Sequence, residues 1–151
     1  MTLKQIEIIE NSWDIILHTP EEASEIFYAR LFSLDPSLRQ LFKEDISSQA
    51  QKLVSTITFV VHKLHDLEEI MADVRELGLR HKSYNVRPEY FPTVGSALLW
   101  TLENRLGKLW NEETKEAWVT IYSILSKAMI DTVEETQPVA LQPSLDGSSS
   151  S

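Results

Sequence analysis

Apolar residues recur every three or four positions along most of the chain, which is the spacing of one face of an α-helix. The first such stripe consists of Leu3, Ile6, Ile9, Trp13 and Ile16. No stretch alternates apolar and polar residues convincingly, and no Asn-Gly or Asp-Gly pair joins two β-like runs. The pattern therefore predicts an all-α protein with about seven helices.

Residues that favour helix starts precede the predicted helices. Thr2 and Gln5 have the spacing of a capping box, in which each side chain bonds the other's backbone N–H. The later start signals are Thr19-Pro20 with Glu22, Asp35-Pro36, Asp45 or Ser47, Pro88, and Asn111-Glu112-Glu113. We expect the short third helix to end near Phe42 and the fifth helix to end at His81.

The chain of 151 residues has the length of one domain. Residues 136–151 read TQPVALQPSLDGSSSS, a segment that lacks periodicity and is rich in proline and serine. Such a composition is typical of disordered segments. We therefore expect one folded domain over residues 1–135 and a disordered tail over residues 136–151.

The composition excludes several kinds of site and partner. The absence of cysteine excludes disulfides, thiolate zinc sites, cysteine-held iron–sulfur clusters and thioether-attached haem. A net charge of −9 disfavours nucleic acid, and the few glycines form no phosphate-binding motif. No secretory leader opens the chain, and no apolar run approaches the roughly 20 residues of a membrane span. We expect a cytoplasmic protein with neither nucleic acid nor membrane as partner.

His81 is the candidate with the clearest chemistry, because it closes an apolar stripe. That stripe is Leu67, Ile70, Met71, Val74, Leu77, Gly78 and His81. Taken alone, such a histidine is more often partly buried and stabilised as a cation by the helix C-terminus. The alternative is a metal ligand, since an imidazole at this place can face an apolar cavity and a haem needs only one protein ligand. His18, His62 and His65 read as surface or boundary residues.

Three further residues have both an ordinary and a functional interpretation. Tyr28 lies on one of two apolar stripes of the second helix, so its ring would be buried and its hydroxyl would need a partner. Gln49 aligns with the edge of the apolar arc of the fourth helix. Phe42 follows the short third helix. Singly, they read as a core tyrosine, a surface glutamine and a core aromatic.

Together these residues resemble the globin family. The stretch FYARLFSLDPSLRQLF is followed by Gln49 and Leu53, then by RHKSYNV, EYFPTVG and AWVTIY, in the order and at the intervals of that family. The sequence is similar in particular to bacterial single-domain globins and to the haem domains of flavohaemoglobins. The likeness extends from Met1 to about Glu135.

The resemblance implies a globin fold around haem b. It makes His81 the proximal iron ligand, Phe42 the aromatic that packs on the haem, and Tyr28, Gln49 and Leu53 the distal ligand-binding pocket. The other residues implied to contact haem are Leu77, Val86, Phe91 and Val94. We also expect Lys52, one turn from Gln49, to reach a haem propionate, although a solvated lysine explains it equally well.

The chain departs from flavohaemoglobins on the proximal side. There a Tyr and a Glu hydrogen-bond toward the ligand histidine, whereas Phe91 stands at the Tyr position and Val133, followed by Glu134, at the Glu position. We therefore expect reversible binding of O₂, CO and NO rather than strong peroxidase chemistry. The alternatives are a nitric oxide dioxygenase that depends on an external reductase, and a haem-free sensor globin.

Overall fold

The computed structural model describes residues 1–42, 45–83 and 87–141, without the side chains of residues 81–83 and 133–141. These parts of the chain form α-helices and short 3₁₀ segments and contain no strand. The α-helices are α1 (Leu3–Ile16), α2 (Pro20–Leu34), α3 (Ile46–His62), α4 (Met71–Ser83), α5 (Tyr90–Leu106) and α6 (Glu112–Leu141). The 3₁₀ segments are Pro36–Leu41, Leu64–Ile70 and Gly107–Leu109. The prediction of an all-α protein is confirmed.

Local sequence signals start several of these helices. Thr2 Oγ1 accepts from the backbone N–H of Gln5, and Gln5 Oε1 accepts from that of Thr2, each over 3.0 Å. The predicted capping box is therefore confirmed. Asp35 Oδ1 accepts from the backbone N–H of Ser37 over 3.1 Å at the first 3₁₀ segment. Asn111 Oδ1 accepts from the backbone N–H of Thr114 over 2.8 Å at α6.

Thr19 departs from its prediction. It precedes α2, and Pro20 occupies the first helical position as expected, but the Thr19 side chain caps no backbone N–H. Its Oγ1 instead accepts from Arg105 Nη2 over 2.7 Å. The same guanidinium lies 2.9 Å from Glu22 Oε1. The hydroxyl therefore joins the start of α2 to the end of α5.

The predicted fifth helix is divided. The 3₁₀ segment Leu64–Ile70 comes first, with a non-helical backbone at Asp66 (φ −128°, ψ 45°), and α4 then begins at Met71. At the other end of the chain, α6 continues through Leu141, beyond the expected domain end at residue 135. Residues 142–151 lie outside the described residues. No described helix is long and apolar enough to cross a membrane.

The buried apolar residues form two groups. The main core joins α1, α3, α4, α5 and α6, and includes Trp13, Val74 and Trp118. The second group, which we call the tyrosine cluster, contains Phe27, Tyr28, Leu31, Leu38 and Ala97. Partly buried residues that pack against the tyrosine cluster include Phe32, Phe42, Leu53, Val94 and Leu98. Four of the ten predicted site residues, namely Tyr28, Phe42, Leu53 and Val94, therefore belong to the smaller group.

Both indoles of the main core are hydrogen-bonded. Trp13 Nε1 donates to Thr58 Oγ1 over 3.0 Å, and Trp118 Nε1 donates to Ser12 Oγ over 2.9 Å. The two rings lie 5.9 Å apart between centroids. A buried indole N–H without an acceptor would cost about 1–3 kcal/mol. These bonds therefore help to hold α1 against α3 and α6.

Candidate functional site

Tyr28 lies at the centre of the tyrosine cluster. Its side chain is 6% exposed, and three other aromatic rings surround it. The centroid of the Tyr28 ring lies 5.0 Å from that of Phe27, 5.9 Å from that of Phe32 and 5.4 Å from that of Phe42. The contacts with Phe27 and Phe42 are edge-to-face, an arrangement that aromatic pairs prefer. The tyrosine ring is therefore held in one position by its neighbours.

The surroundings of the Tyr28 hydroxyl determine its hydrogen bonding and its protonation. No side chain or backbone group in the described parts of the chain forms a hydrogen bond with it. Burial among apolar rings raises the pKa of Tyr28 to about 12, because the phenolate would lose its hydration there. The hydroxyl consequently keeps its proton at neutral pH. It can donate a hydrogen bond to a small polar ligand.

Phe42 reaches the cluster because the 3₁₀ segment Pro36–Leu41 ends directly before it. The Phe42 backbone N–H donates to the carbonyl of Arg39 over 3.1 Å, and the backbone then leaves the helical conformation (φ −102°, ψ 78°). The Phe42 ring lies 5.5 Å from that of Phe32. The Arg39 guanidinium in turn lies 5.2 Å from the Phe32 ring centroid. Phe42 is therefore placed beside Tyr28.

The first turns of α3 carry the other predicted distal residues. Gln49 and Leu53 are four residues apart on this helix, and both are half-buried. Leu53 packs against the tyrosine cluster. Lys52 is exposed and borders a surface groove together with Ser48, Gln51, Ser55 and Thr56. Leu53 thereby joins the first half of α3 to the tyrosine cluster.

A small apolar cavity borders Leu53 and Phe27. It has a volume of about 20 Å³ and is lined by residues of α1, α2, α3 and α5. Its walls include Trp13, Phe27, Leu53 and Leu98, and they expose no polar surface to it. A water molecule needs two to four polar partners, so this cavity suits an apolar guest better than water.

The residues of α4 and α5 that were predicted to contact haem are divided between the tyrosine cluster and the main core. Val94 is half-buried against the tyrosine cluster. Phe91 is 6% exposed and belongs to the main core, and Leu77 packs against the main core from α4. The structure thus brings Tyr28, Phe42, Leu53 and Val94 together. It assigns Phe91 and Leu77 to the other group.

The position of His81 is known only for its backbone, which lies in α4. Its side chain and all of Val86 lie outside what the structure describes. The remaining histidines are exposed, as expected from the sequence. His18 Nδ1 lies 2.9 Å from the carbonyl oxygen of Asp14, and His65 Nε2 lies 3.6 Å from Glu10 Oε2. Among the described residues, no group of three or more histidine, aspartate or glutamate side chains could hold a metal ion.

Two residues of this region lie on apolar helix faces in the sequence but were not predicted to belong to the site. Leu98 contacts both groups and lines the small cavity, and its spacing of four from Val94 was the available signal. Tyr122 donates its hydroxyl to the backbone carbonyl of Phe91 over 2.7 Å. Tyr122 is the last residue of the AWVTIY motif. The sequence therefore identified the motif but did not indicate that Tyr122 bonds to Phe91.

Comparison with known proteins supports the interpretation of the sequence. The family model described as Globin matches residues 25–129. A neuroglobin of Tetraodon nigroviridis is 29% identical over 143 residues, which cover 85% of this chain and 90% of that protein. A flavohemoprotein of Oceanobacillus iheyensis is 28% identical over 135 residues, which cover 87% of this chain. That match spans 33% of the flavohemoprotein, so the chain corresponds to about a third of it.

Comparison of the backbone with solved structures also indicates a globin fold. The solved structure of a bacterial globin from Campylobacter jejuni superimposes with a TM-score of 0.78 at 27% sequence identity. The superposition covers 91% of this chain and 99% of the other. The expectation of a globin fold is confirmed.

Proposed function

The chain belongs to the globin family, and we propose that it is a haem b protein that reversibly binds O₂ and other diatomic gases such as CO and NO. Globins bind haem and diatomic gases. One observation carries the proposal for this chain. The ring of Tyr28 is buried among aromatic rings, and its hydroxyl forms no hydrogen bond with a described residue. Storage, delivery or scavenging of such gases are the roles that reversible binding serves.

The residues around Tyr28 fit a haem. Phe42, Leu53, Val94 and Leu98 are only partly buried although they are apolar, so each retains surface that a flat apolar group can cover. Covering apolar surface contributes about 25 cal/mol per Å². Bound haem would supply the iron to which a diatomic ligand attaches. These four side chains would hold the group, and Tyr28 would face its ligand.

Two donors are proposed for the distal side. The Tyr28 O–H and the Gln49 side-chain amide would each donate a hydrogen bond to bound O₂, which carries partial negative charge. Each such bond contributes roughly 1–2 kcal/mol, or about tenfold in affinity. Leu53 would limit the space beside them. We therefore propose tight O₂ binding, with CO less affected because it carries less negative charge.

His81 is proposed as the single protein ligand to iron. Its support is the family match, together with the exposure of His18, His62 and His65. A histidine that binds iron acts as a neutral imidazole. We propose that Leu77, Val86 and Phe91 complete the contacts around it. Lys52 is proposed to bind a propionate, since its exposed position beside Leu53 suits a charged group at the pocket edge.

Nitric oxide dioxygenation with a separate reductase is the second candidate. The observation that favours it is the match to a flavohemoprotein, about two thirds of which this chain does not cover. Phe91 counts against fast oxidative chemistry, because it puts a buried phenyl ring where the resemblance expects a tyrosine. We therefore place reversible binding first. We further propose a cytoplasmic protein without nucleic-acid or membrane partners.

An absorption spectrum of the purified protein tests the proposal. We expect a Soret band in the haem-loaded protein and a shift of this band when CO is added to the reduced form. Oxygenated protein should release O₂ under vacuum and regain the reduced spectrum. Failure to retain haem would contradict the proposal and favour a haem-free sensor globin. Sustained consumption of NO with a supplied reductase would favour the dioxygenase.

A further inference from the structure

Two close contacts tie α4 and α5 to α6. The first is at Gly78 on α4. A Cβ atom added to Gly78 would lie 2.9 Å from Met129 Cα and 3.1 Å from the Met129 carbonyl oxygen. Both neighbours are backbone atoms, so no side-chain rotation could relieve the overlap. Any residue larger than glycine would have to move α4 away from α6.

The second contact is at Tyr122 on α6. Its hydroxyl donates to the carbonyl oxygen of Phe91 over 2.7 Å. A Cβ atom added to Gly95, one turn further along α5, would lie 2.7 Å from Tyr122 Cε2. The tyrosine ring therefore lies flush against α5 at Gly95. Its hydroxyl holds the first turn of that helix.

These contacts flank the segment that carries the expected iron ligand. His81 follows Gly78 by three residues in α4, so the two positions fall on the same side of the helix. Phe91 lies in the first turn of α5. A shift of α4 or α5 relative to α6 would thus displace the backbone on either side of the expected ligand. Leu77 and Phe91 pack into the same main core as Met129, which would transmit such a shift.

We propose that Gly78 and Tyr122 are positioning residues that set the iron–imidazole bond by fixing how closely α4 and α5 approach α6. This inference rests on the proposed function, because it requires haem held by His81. Neither residue touches the ligand in this proposal. Gly78 acts by having no side chain, and Tyr122 acts by holding the Phe91 carbonyl.

Two variants and two matched controls test the inference. Gly78→Ala adds the overlapping methyl group, and Tyr122→Phe removes only the hydroxyl. Ala72→Gly exchanges the same two residue types at an exposed position of α4. It therefore measures the difference in helix propensity between alanine and glycine without any overlap with α6. Ser12→Ala removes the acceptor of the Trp118 N–H at a distant contact between α1 and α6. The controls should destabilise the protein without displacing α4 or α5.

Three quantities are measured for each variant. They are the iron–imidazole stretching band of the reduced, ligand-free protein by resonance Raman spectroscopy, the rate of haem transfer to an acceptor protein, and the thermal stability of the haem-free protein. We expect Gly78→Ala to shift the band and to speed haem loss about tenfold, since overpacking is costly. We expect Tyr122→Phe to shift it less and to speed haem loss about fivefold. Ser12→Ala and Ala72→Gly should leave the band in place.

The outcomes separate this inference from the function on which it rests. An unchanged band in Tyr122→Phe, or equal shifts in the controls, would overturn the positioning role while haem binding stands. If Gly78→Ala does not fold, Tyr122→Phe against Ser12→Ala still decides the question. Absence of an iron–imidazole band from the unmutated, haem-loaded protein would instead contradict the assignment of His81.

Discussion

The two buried groups of this protein use their polar atoms differently. In the main core the N–H groups of Trp13 and Trp118 are each bonded to a hydroxyl of another helix. The hydroxyl of Tyr122, which is partly buried, is bonded to the backbone carbonyl of the core residue Phe91. In the tyrosine cluster, the Tyr28 hydroxyl has no partner among the residues that the structure describes. The main core uses these polar groups in packing, whereas we propose that the hydroxyl of Tyr28 serves a ligand.

The contacts around each group explain this division. The bond from Trp118 to Ser12 joins residues 106 positions apart and therefore stabilises the packing of α6 on α1. Tyr28 is held instead by ring contacts with Phe27, Phe32 and Phe42, which leave its oxygen unused. Mutations should therefore affect stability in the main core and ligand binding in the cluster.

The largest effect is expected from His81→Gly. Loss of the proposed single protein ligand to iron should abolish normal haem retention, because His18, His62 and His65 are exposed and unsuited to replace it. Added imidazole should restore the spectrum in part by occupying the vacated place. The measurement is the Soret absorbance per protein after gel filtration, with and without imidazole.

His62→Ala and His65→Ala are the matched controls for that experiment. Both side chains are exposed, so their removal should leave haem content unchanged. If either control lost haem while His81→Gly retained it, the assignment of the iron ligand would be wrong.

Trp118→Phe tests the role of the main core. The variant removes the indole N–H that bonds Ser12 and leaves a cavity, so the free energy of unfolding should fall by about 1–3 kcal/mol. Tyr28→Phe removes a hydroxyl without a described partner and should change the same quantity by less than about 0.5 kcal/mol. Urea unfolding of the haem-free proteins measures both. Equal decreases in the free energy of unfolding for the two variants would contradict the proposed difference between the main core and the tyrosine cluster.

Alkaline pH should weaken the fold through the buried tyrosines. The pKa of Tyr28 is raised from 10.0 to about 12, and burial raises the pKa of Tyr122 as well. Below pH 10 neither state ionises these groups, so their contribution to stability is complete. Between pH 10 and 12 the unfolded chain loses its protons first, and stability falls as pH rises.

The pH dependence can be assigned with single substitutions. Tyr28→Phe and Tyr122→Phe should each make the loss of stability above pH 10 less steep. The measurement is the urea midpoint of the haem-free protein at intervals from pH 8 to 11.5. An unchanged slope in Tyr122→Phe would show that its ionisation does not oppose folding.

Lys52→Ala should have the smallest effect. The side chain is exposed, and exposed ion pairs contribute only about 0–1 kcal/mol. If Lys52 pairs with a propionate, Lys52→Ala should lose haem up to about fivefold faster than the unmutated protein at low salt. This difference should disappear at high salt, which screens the ion pair. Identical haem loss at both salt concentrations would leave Lys52 as a solvated lysine.

Much of the fold could be predicted because the signals are local. The capping box of Thr2 and Gln5, and the caps at Asp35 and Asn111, involve residues within three positions of each other. Helix starts and faces follow from such short spacings. The same rule assigned a cap to Thr19, which was wrong because a guanidinium 86 residues away takes its hydroxyl.

The candidate site was predictable only through the order of its motifs. Periodicity places Tyr28, Phe42 and Val94 on buried faces but does not say that they meet, since that depends on how α2, α3 and α5 cross. The contact of Gly78 with Met129 and the bond from Tyr122 to Phe91 are also long-range. A single sequence indicates which face is buried and leaves the partner across the interface undetermined.

The most direct test of the central claim is the dissociation of O₂ and CO from Tyr28→Phe. If the unused hydroxyl serves the ligand, O₂ should dissociate about tenfold faster than from the unmutated protein, because one hydrogen bond to a charged oxygen is lost. CO dissociation should change much less, and Gln49→Leu should repeat the pattern. Stopped-flow ligand replacement gives both rates on one sample. Equal changes for O₂ and CO, or none for either, would contradict the claim that Tyr28 donates to bound O₂.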